Sequence, residues 1–422
     1  MAYIVPVKGL RYKNTQELAL LTTPPYDVIS SQEQDAYYQK HPYNIIRLEY
    51  GKIFPEDTEE NNRYTRAAQD FAAWKEQGVL QAEAEPSIYI YAQEFSLGKE
   101  RKTRTGLMAG VRIEPYETGS ILPHEETLPK HKADRLALMK ACQANFSPIF
   151  SLYSDSQMQV EKATEAALQQ EPVLDFVSED GQRHRLWAVS DLAVIKQVQA
   201  VLQDKTFFIA DGHHRYETAM NYRNWRHESD PAAQGEQAYD FVMMNIVNLY
   251  NPGLVVLPTH RLVNNLPTDR VQGLLAKLQG YFQVQEFGLT AASGQLDPLK
   301  FEGFLAKLAG ISGKAFGFYA GGETGYLLNL QTGADITSFM PVQHSSDWKN
   351  LDVSLLHSLI MESFLGIGGL QRAEESNLTY TREELQAAQR VQAGEYQMVF
   401  FMNPTRVEEV TAVAANGEKM PQ

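Results

Sequence analysis

The stretch FFIADGHHRYETAMNYR, Phe207 to Arg223, changes character in its middle. An apolar run from Phe207 to Ala210 has strand composition and ends on Asp211. Gly212 follows, and His213, His214 and Arg215 then open a segment that reads as a helix. The first four N–H groups of a helix have no partner inside it, and the helix dipole is positive at that end. A strand running straight into such a start aims those donors at one spot. Glycine removes the Cβ that would block close approach, and Asp211 can cap the helix or orient a histidine or a metal-bound water. His213 and His214 add donors, and Arg215 can grip a phosphate through two parallel hydrogen bonds. An Asp-Gly pair before a helix also serves as a plain cap with two solvated histidines. The coincidence of Asp211, Gly212, two histidines and Arg215 after an apolar strand favours an anion cradle for phosphate. Zinc fits less well. Adjacent histidines project about 100° apart on a helix, and no HExxH or paired-cysteine motif completes a ligand set.

Three other stretches carry chemistry. In ILPHEETLPKHKADR, Ile121 to Arg135, the residues His124, Glu125, Glu126, Lys130, His131, Lys132, Asp134 and Arg135 crowd together. Pro123 and Pro129 make most of it a loop, leading into the helix KADRLALMKACQ. Such a loop can hold a general base and a phosphate clamp, or it can be a solvated charged loop. In LTTPPYDVISSQEQ, Leu21 to Gln34, Pro24 and Pro25 force an extended entry, and Ser30 or Ser31 can cap the next helix. Tyr26 and Asp27 there could line a pocket or simply form a rigid turn. PTHRLV, Pro258 to Val263, offers His260 and Arg261 at a strand end. His357, set among leucines, reads as a core histidine.

The 422 residues suggest two or three domains. Hydrophobic content of 43% and charged content of 21% are ordinary for a globular protein. No stretch approaches the roughly 18 uninterrupted apolar residues of a membrane span, and MAYIVPVKGLRYK lacks a signal-peptide core. A cytoplasmic protein is expected, consistent with the single cysteine, Cys142. The formal charge of −14 argues against nucleic-acid binding, which needs a basic face.

Strand and helix signals intermix along the chain. SIYIYAQEF, TGLMAGVRIE, PIFSLY, VLDFV, RLWAV, TFFIA, DFVMMNIVNL, LVVLP, AFGFYA, TGYLLNL and YQMVFFMNP read as strands. Helical spacing marks RYTRAAQDFAAWKEQGVL, with Gly78 as its stop, and also QVEKATEAALQ, DLAVIKQVQAVLQ, LLAKLQGYF, FEGFLAKLAG, VSLLHSLIMESFLGI and TREELQAAQRVQA, before a short helical tail. The mixture, with short turns between neighbouring strands, predicts an α+β fold with mixed sheets rather than a doubly wound parallel sheet. Weak breaks fall near Pro115 to Gly119 and near Asn264 to Thr268.

Taken in order, PPYDVI, LPHEETLPKHKADR, ADGHHRYETA, LPTHR, LDVSLLH and RAEESNLTYT resemble the bacterial and archaeal domain-of-unknown-function family numbered 1015, over nearly the whole chain. DGHHR also resembles the ligand motif of the ParB/sulfiredoxin superfamily, in which it opens a helix that holds nucleotide phosphates. Members include chromosome-partition CTPases, sulfiredoxins and nucleotide-dependent free-serine kinases. This second resemblance implies a ParB/sulfiredoxin-like core at 116–265, between an N-terminal α/β domain at 1–115 and a C-terminal α+β domain at 266–422. It also implies that Asp211, Gly212, His213, His214 and Arg215 form a phosphate and metal site.

Two departures matter. Sulfiredoxins carry a cysteine where this chain has His213, and Cys142 falls in an amphipathic helix, so sulfinic-acid reduction is not expected. Relatives of the first family usually continue past GEKMPQ with a lysine-serine-threonine and tyrosine-proline-lysine segment, and a part for that tail in ligand binding is left open. No helix-turn-helix for DNA is evident. The resemblance implies phosphoryl transfer from ATP or ADP with Mg²⁺ to a small hydroxyl metabolite, serine first. Phosphoryl transfer needs positioning and charge neutralisation more than covalent help. Asp211 is then the metal ligand, Glu125 the base, His124 its neighbour, and Lys130 and Arg261 further phosphate contacts. The alternatives are a nucleotide-binding regulatory module with slow hydrolysis and a metal-dependent phosphodiesterase. The expected partners are a nucleotide and a small substrate, without nucleic acid or membrane; a homodimer is left open.

Overall fold

The computed structural model describes residues 2–98, 100–123, 129–368 and 377–421; the side chains of residues 129–132 fall outside that description. The chain divides into two compact units, Met1–Leu254 and Val255–Gln422.

Unit 1 carries eleven strands among its described residues: β1 (Ile4–Val5), β2 (Leu10–Tyr12), β3 (Leu80–Ala82), β4 (Ile88–Leu97), β5 (Glu100–Arg112), β6 (Ile121–Leu122), β7 (Ile149–Tyr153), β8 (Leu174–Val177), β9 (Arg183–Val189), β10 (Phe207–Asp211) and β11 (Phe241–Asn248). Nine of them form one mixed sheet in the order β6-β10-β7-β11-β5-β4-β9-β8, with β1 added on β5. The pairs β10–β6 and β11–β7 are parallel and the rest antiparallel. Strands from before Pro115 and strands from after it therefore share one sheet. β2 and β3 form a separate antiparallel pair.

The helices of unit 1 are α1 (Leu18–Leu21), α2 (Ser31–Lys40), α3 (Ile46–Glu49), α4 (Arg63–Glu76), α5 (Pro129–Cys142), α6 (Gln159–Leu168), α7 (Leu192–Leu202) and α8 (His213–Ser229). Their starts follow local chemistry. Ser30 caps α2 in a capping box with Glu33, Asn62 caps α4 in one with Thr65, and Asp191 caps α7. α4 buries Ala67, Phe71 and Trp74, the stripe its spacing predicts, and Gly78 stops it at φ +70°. α5 packs between α4 and α8.

Unit 2 has a six-stranded antiparallel sheet, order β13-β15-β14-β17-β12-β16. The strands are β12 (His260–Val263), β13 (Phe282–Gly288), β14 (Ala315–Tyr319), β15 (Thr324–Leu330), β16 (Leu378–Thr381) and β17 (Met398–Met402). Alternation along β17 sends Phe400 into one apolar core and Phe401 into another, on opposite faces. One core is closed by the helix Asp352–Leu355, which runs on as a π-helix over Leu356–Phe364 and buries His357. Among the described residues no helix is long and apolar enough to cross a membrane.

The α+β expectation holds. Several element boundaries differ from the sequence reading. Leu254–Pro258 forms no strand; it joins the two units, and β12 begins just after it. The helical pattern LLAKLQGYF stops at Gln279, and Phe282 starts β13, because β15 offers a pairing edge from Thr324 to Leu330. α5 begins at Pro129, so that proline opens a helix rather than extending a loop; its fixed φ and missing N–H suit a first helical position.

Candidate functional site

β10 does not run cleanly into α8. Ile209 pairs with Ser151 and Asp211 with Phe150 of β7, so one extra residue, Ala210, is accommodated there as a bulge. Bulges re-aim the side chains that follow, and here Asp211 is the next residue. Gly212 sits at φ +93° and ψ 28°, a left-handed conformation that favours glycine, and stands at the N-cap of α8. Gly212 itself has no side chain with which to cap the helix. The capping role considered for Asp211 is not the one seen: its carboxylate, 59% exposed, accepts from Nη2 of Arg215. Nη1 of Arg215 donates to the carbonyl of Pro148, just before β7. The guanidinium folds back over Gly212, where a Cβ would stand 2.9 Å from Nε and 3.0 Å from Cζ. The backbone therefore favours glycine here, and a Cβ would also press on the end of the arginine.

α8 is anchored firmly. The Tyr216 hydroxyl donates to the Glu114 carbonyl at 2.7 Å and accepts from the Glu114 N–H at 2.9 Å, and its ring stacks on Tyr116. Nη1 of Arg223 donates to the Ile113 carbonyl at 2.5 Å. His213 is buried and His214 half-buried.

A second charged cluster lies in the same electrostatic field. Arg135, on α5, is 6% exposed. Its Nη1 donates to the Glu49 carbonyl at 2.8 Å and lies 3.4 Å from Oε1 of the same residue. Its Nε donates to Asp134 Oδ2 at 2.8 Å. Tyr64 donates to Asp134 Oδ1 at 2.7 Å, and Arg63 donates to it too. Ser147 donates to Glu49 Oε1 at 3.0 Å. The face of Tyr26 lies 4.0 Å from the Arg135 guanidinium carbon. Ser147 and Pro148 are adjacent, so one dipeptide ties Glu49 to Arg215. Burial lifts the Glu49 carboxyl above its usual range, with Arg135, Ser147 and Arg215 opposing it. Burial also raises the Tyr26 phenol, against the pull of Arg135 and Arg215. For Asp134, burial is outweighed by Arg135, Tyr64 and Arg63, and its carboxyl falls below the usual range. Cys142, on the same helix, is buried, and its thiol is pushed up to about 12.

Tyr26, Asp134, Arg135, Asp211, Gly212 and Arg215 thus come from three of the stretches singled out in the sequence and share one region of unit 1. Glu49 was missed. Its one signal is an acid inside IIRLEY, an otherwise largely apolar segment. His124 and Glu125 lie outside the described residues; Lys130 lies in the first turn of α5, its side chain outside the description. Arg261 belongs to unit 2, where Nη1 donates to the Thr259 carbonyl and its guanidinium carbon lies 5.2 Å from the Tyr380 ring. Beside it, His260 Nδ1 accepts from the Met402 N–H at 3.2 Å, which leaves the ring proton on Nε2, 3.5 Å from Glu384. Among the described residues no three His, Cys, Asp or Glu side chains gather as a metal-ligand set. Mg²⁺ is commonly held by one or two carboxylates together with the phosphates of its ligand, and Asp211 fits that pattern.

The fold and turn define an α+β protein with a strand–bulge–glycine–helix junction at the end of its largest sheet. The sequence matches the family described as protein of unknown function, DUF1015, over residues 4–354, and the chain belongs to that family. Among curated proteins none matches it. Solved structures similar to it include a conserved hypothetical protein from Pyrococcus furiosus, 14% identical over 75% of this chain and 87% of that one, with a TM-score of 0.30. A free serine kinase in complex with AMP is 13% identical over 75% and 83%, with a TM-score of 0.31. SbnI with a C-terminal truncation, from Staphylococcus aureus, is 12% identical over 74% and 79%, with a TM-score of 0.32.

Proposed function

We propose that the chain is a nucleotide-dependent phosphotransferase acting on a small hydroxyl metabolite, with free serine as the first acceptor to test. The observation that carries this reading is the turn itself: a bulged strand end, a left-handed Gly212 at the start of the seventeen-residue α8, and Arg215 poised over the glycine. A helix start, its dipole and a guanidinium within one turn form a site for phosphate oxygens. Gly212, His213, His214 and Arg215 hold the phosphates. Asp211 holds Mg²⁺, which neutralises charge on them. Glu125 takes the proton of the acceptor hydroxyl, with His124 and Lys130 in the same segment, and the cluster of Glu49, Asp134 and Arg135 fixes α5 downstream. Arg261 takes no part in this reading, which is confined to unit 1.

The test is transfer of labelled phosphate from ADP or ATP to a panel of amino acids and small alcohols, beside thermal shifts with and without Mg²⁺. A ligand that binds the native state alone raises its stability by mass action. Arg215→Ala is expected to weaken nucleotide binding by roughly 1.5–3 kcal/mol, the scale of a hydrogen bond to a charged group. Glu125→Gln is expected to keep binding and slow transfer by about 10²–10⁴-fold. Nucleotide binding without transfer to any acceptor retires the kinase in favour of a regulatory module.

A further inference from the structure

Arg215 has two acceptors of unequal character. Pro148 is a backbone carbonyl at the start of a sheet strand, fixed in place by the pairing of β7 with β10 and β11. Asp211 is a carboxylate at the bulged end of β10, 59% exposed. The guanidinium lies over Gly212, directly before the first turn of α8, at the positive end of the helix dipole. As it stands, the cation most useful to a phosphate is neutralised by the carboxylate most useful to a metal. Each blocks the other's ligand. An anion that takes Arg215 from Asp211 leaves that carboxylate unpaired beside the anion's own negative charge, which is unfavourable unless a cation arrives with it.

We infer that Asp211 and Arg215 form an exchangeable pair that selects the metal-chelated form of a phosphate ligand: phosphate takes Arg215, the divalent cation takes Asp211, and neither binds well alone. This rests on the nucleotide reading of unit 1 and adds to it a thermodynamic coupling between the two ligands. Coupling of this kind is reciprocal, so each ligand raises affinity for the other by the same factor. Pro148 keeps the arginine in place throughout, so the exchange moves one carboxylate and leaves α8 where it is.

The experiment measures binding rather than turnover. ADP is titrated calorimetrically into wild type, Asp211→Ala and Asp211→Asn, with EDTA and with Mg²⁺; Mn²⁺ is titrated without nucleotide, by electron paramagnetic resonance, into wild type and Arg215→Ala. Asp211→Ala is expected to bind metal-free ADP about two- to fivefold more tightly than wild type, the scale of a partly exposed ion pair. It is also expected to lose the gain that Mg²⁺ gives. Asp211→Asn, which keeps the shape of the side chain, should do the same to a lesser degree, and unchanged circular dichroism checks that both are folded. Arg215→Ala should bind Mn²⁺ alone more tightly than wild type does. Weaker metal-free binding in Asp211→Ala, or a Mg²⁺ gain that survives it, overturns the exchange while leaving nucleotide binding intact. Absence of ADP binding by wild type under all conditions takes down the nucleotide reading and the exchange with it.

Discussion

Two arginines are buried to almost the same degree, and the protein treats them differently. Arg135 in unit 1 is 6% exposed and Arg261 in unit 2 is 5% exposed. Arg135 is met by Glu49 and Asp134, with Tyr26 on its face. Arg261 has no carboxylate within ion-pair distance among the described residues; its partners are the Thr259 carbonyl, the Met402 sulfur and the Tyr380 ring. Burial lowers the Arg261 pKa to about 10. Taking a charge out of water is costly unless an opposite charge and hydrogen bonds replace the water. Unit 1 compensates with acids and so binds three elements, α3, α5 and the Ser147–Pro148 link, into one network. Unit 2 compensates with dipoles and polarisable groups, at the edge of an apolar core.

The widest expected difference comes from removing the cations. Arg135→Met leaves Glu49 buried without its counter-charge and should destabilise unit 1 by about 3–5 kcal/mol. Arg261→Met orphans no carboxylate, only the Thr259 carbonyl, and should cost about 1–3 kcal/mol, the scale of one buried acceptor left without its hydrogen bond. Urea denaturation of the two variants measures both; equal losses would remove the distinction.

Arg215 is the intermediate case, with one acid that faces solvent. Gly212→Ala places a Cβ against its guanidinium and puts a side chain at φ +93°. A cost of about 1–2 kcal/mol is expected from the left-handed backbone, together with loss of the Arg215–Asp211 contact. Thermal melting and nucleotide titration read the two parts separately. A variant that melts and binds as wild type does would place the guanidinium elsewhere.

The smallest effect concerns pH. The Glu49 carboxyl is raised in the folded state, so the native protein holds more protons there than the unfolded chain. Its contribution is full below the unfolded pKa and is lost as pH rises through the folded value. Glu49→Gln cannot ionise. The stability of wild type relative to this variant should therefore fall as pH climbs from the ordinary glutamate range toward neutrality. A difference that stays flat with pH would mean that Arg135 holds Glu49 at its unfolded value.

The α+β class was legible because strand and helix periodicities alternate strongly, as in α4, where Ala67, Phe71 and Trp74 fall on one buried stripe. Leu254–Pro258 was read as a strand and is none, and β13 was missed, its first residue Phe282 being read as the end of a helix. A strand exists only where an edge is there to pair with it, and an edge far away in sequence leaves no local mark. The turn at Gly212 was legible from residue types alone. Its internal wiring was not: that Asp211 would bind Arg215 rather than cap α8 depends on the bulge at Ala210 and on the Pro148 carbonyl just ahead of β7. Glu49 was hidden because its importance comes from burial against Arg135 and Ser147, residues distant in sequence. Tyr26 was one of two open readings, and only its position on Arg135 separates a pocket wall from a rigid turn.

Cys142 has a practical consequence. It is the chain's one cysteine, it is buried, and its thiol is raised to about 12. The nucleophile of thiol chemistry is the thiolate, so the native protein offers almost none to a maleimide or a nitroxide reagent at neutral pH. A cysteine engineered onto an exposed position would react alone, with the native residue left in place. A spin label or fluorophore at Asp27 or Glu117, both exposed, would then report from a single address in unit 1. The molecule is in this sense already prepared for spectroscopy.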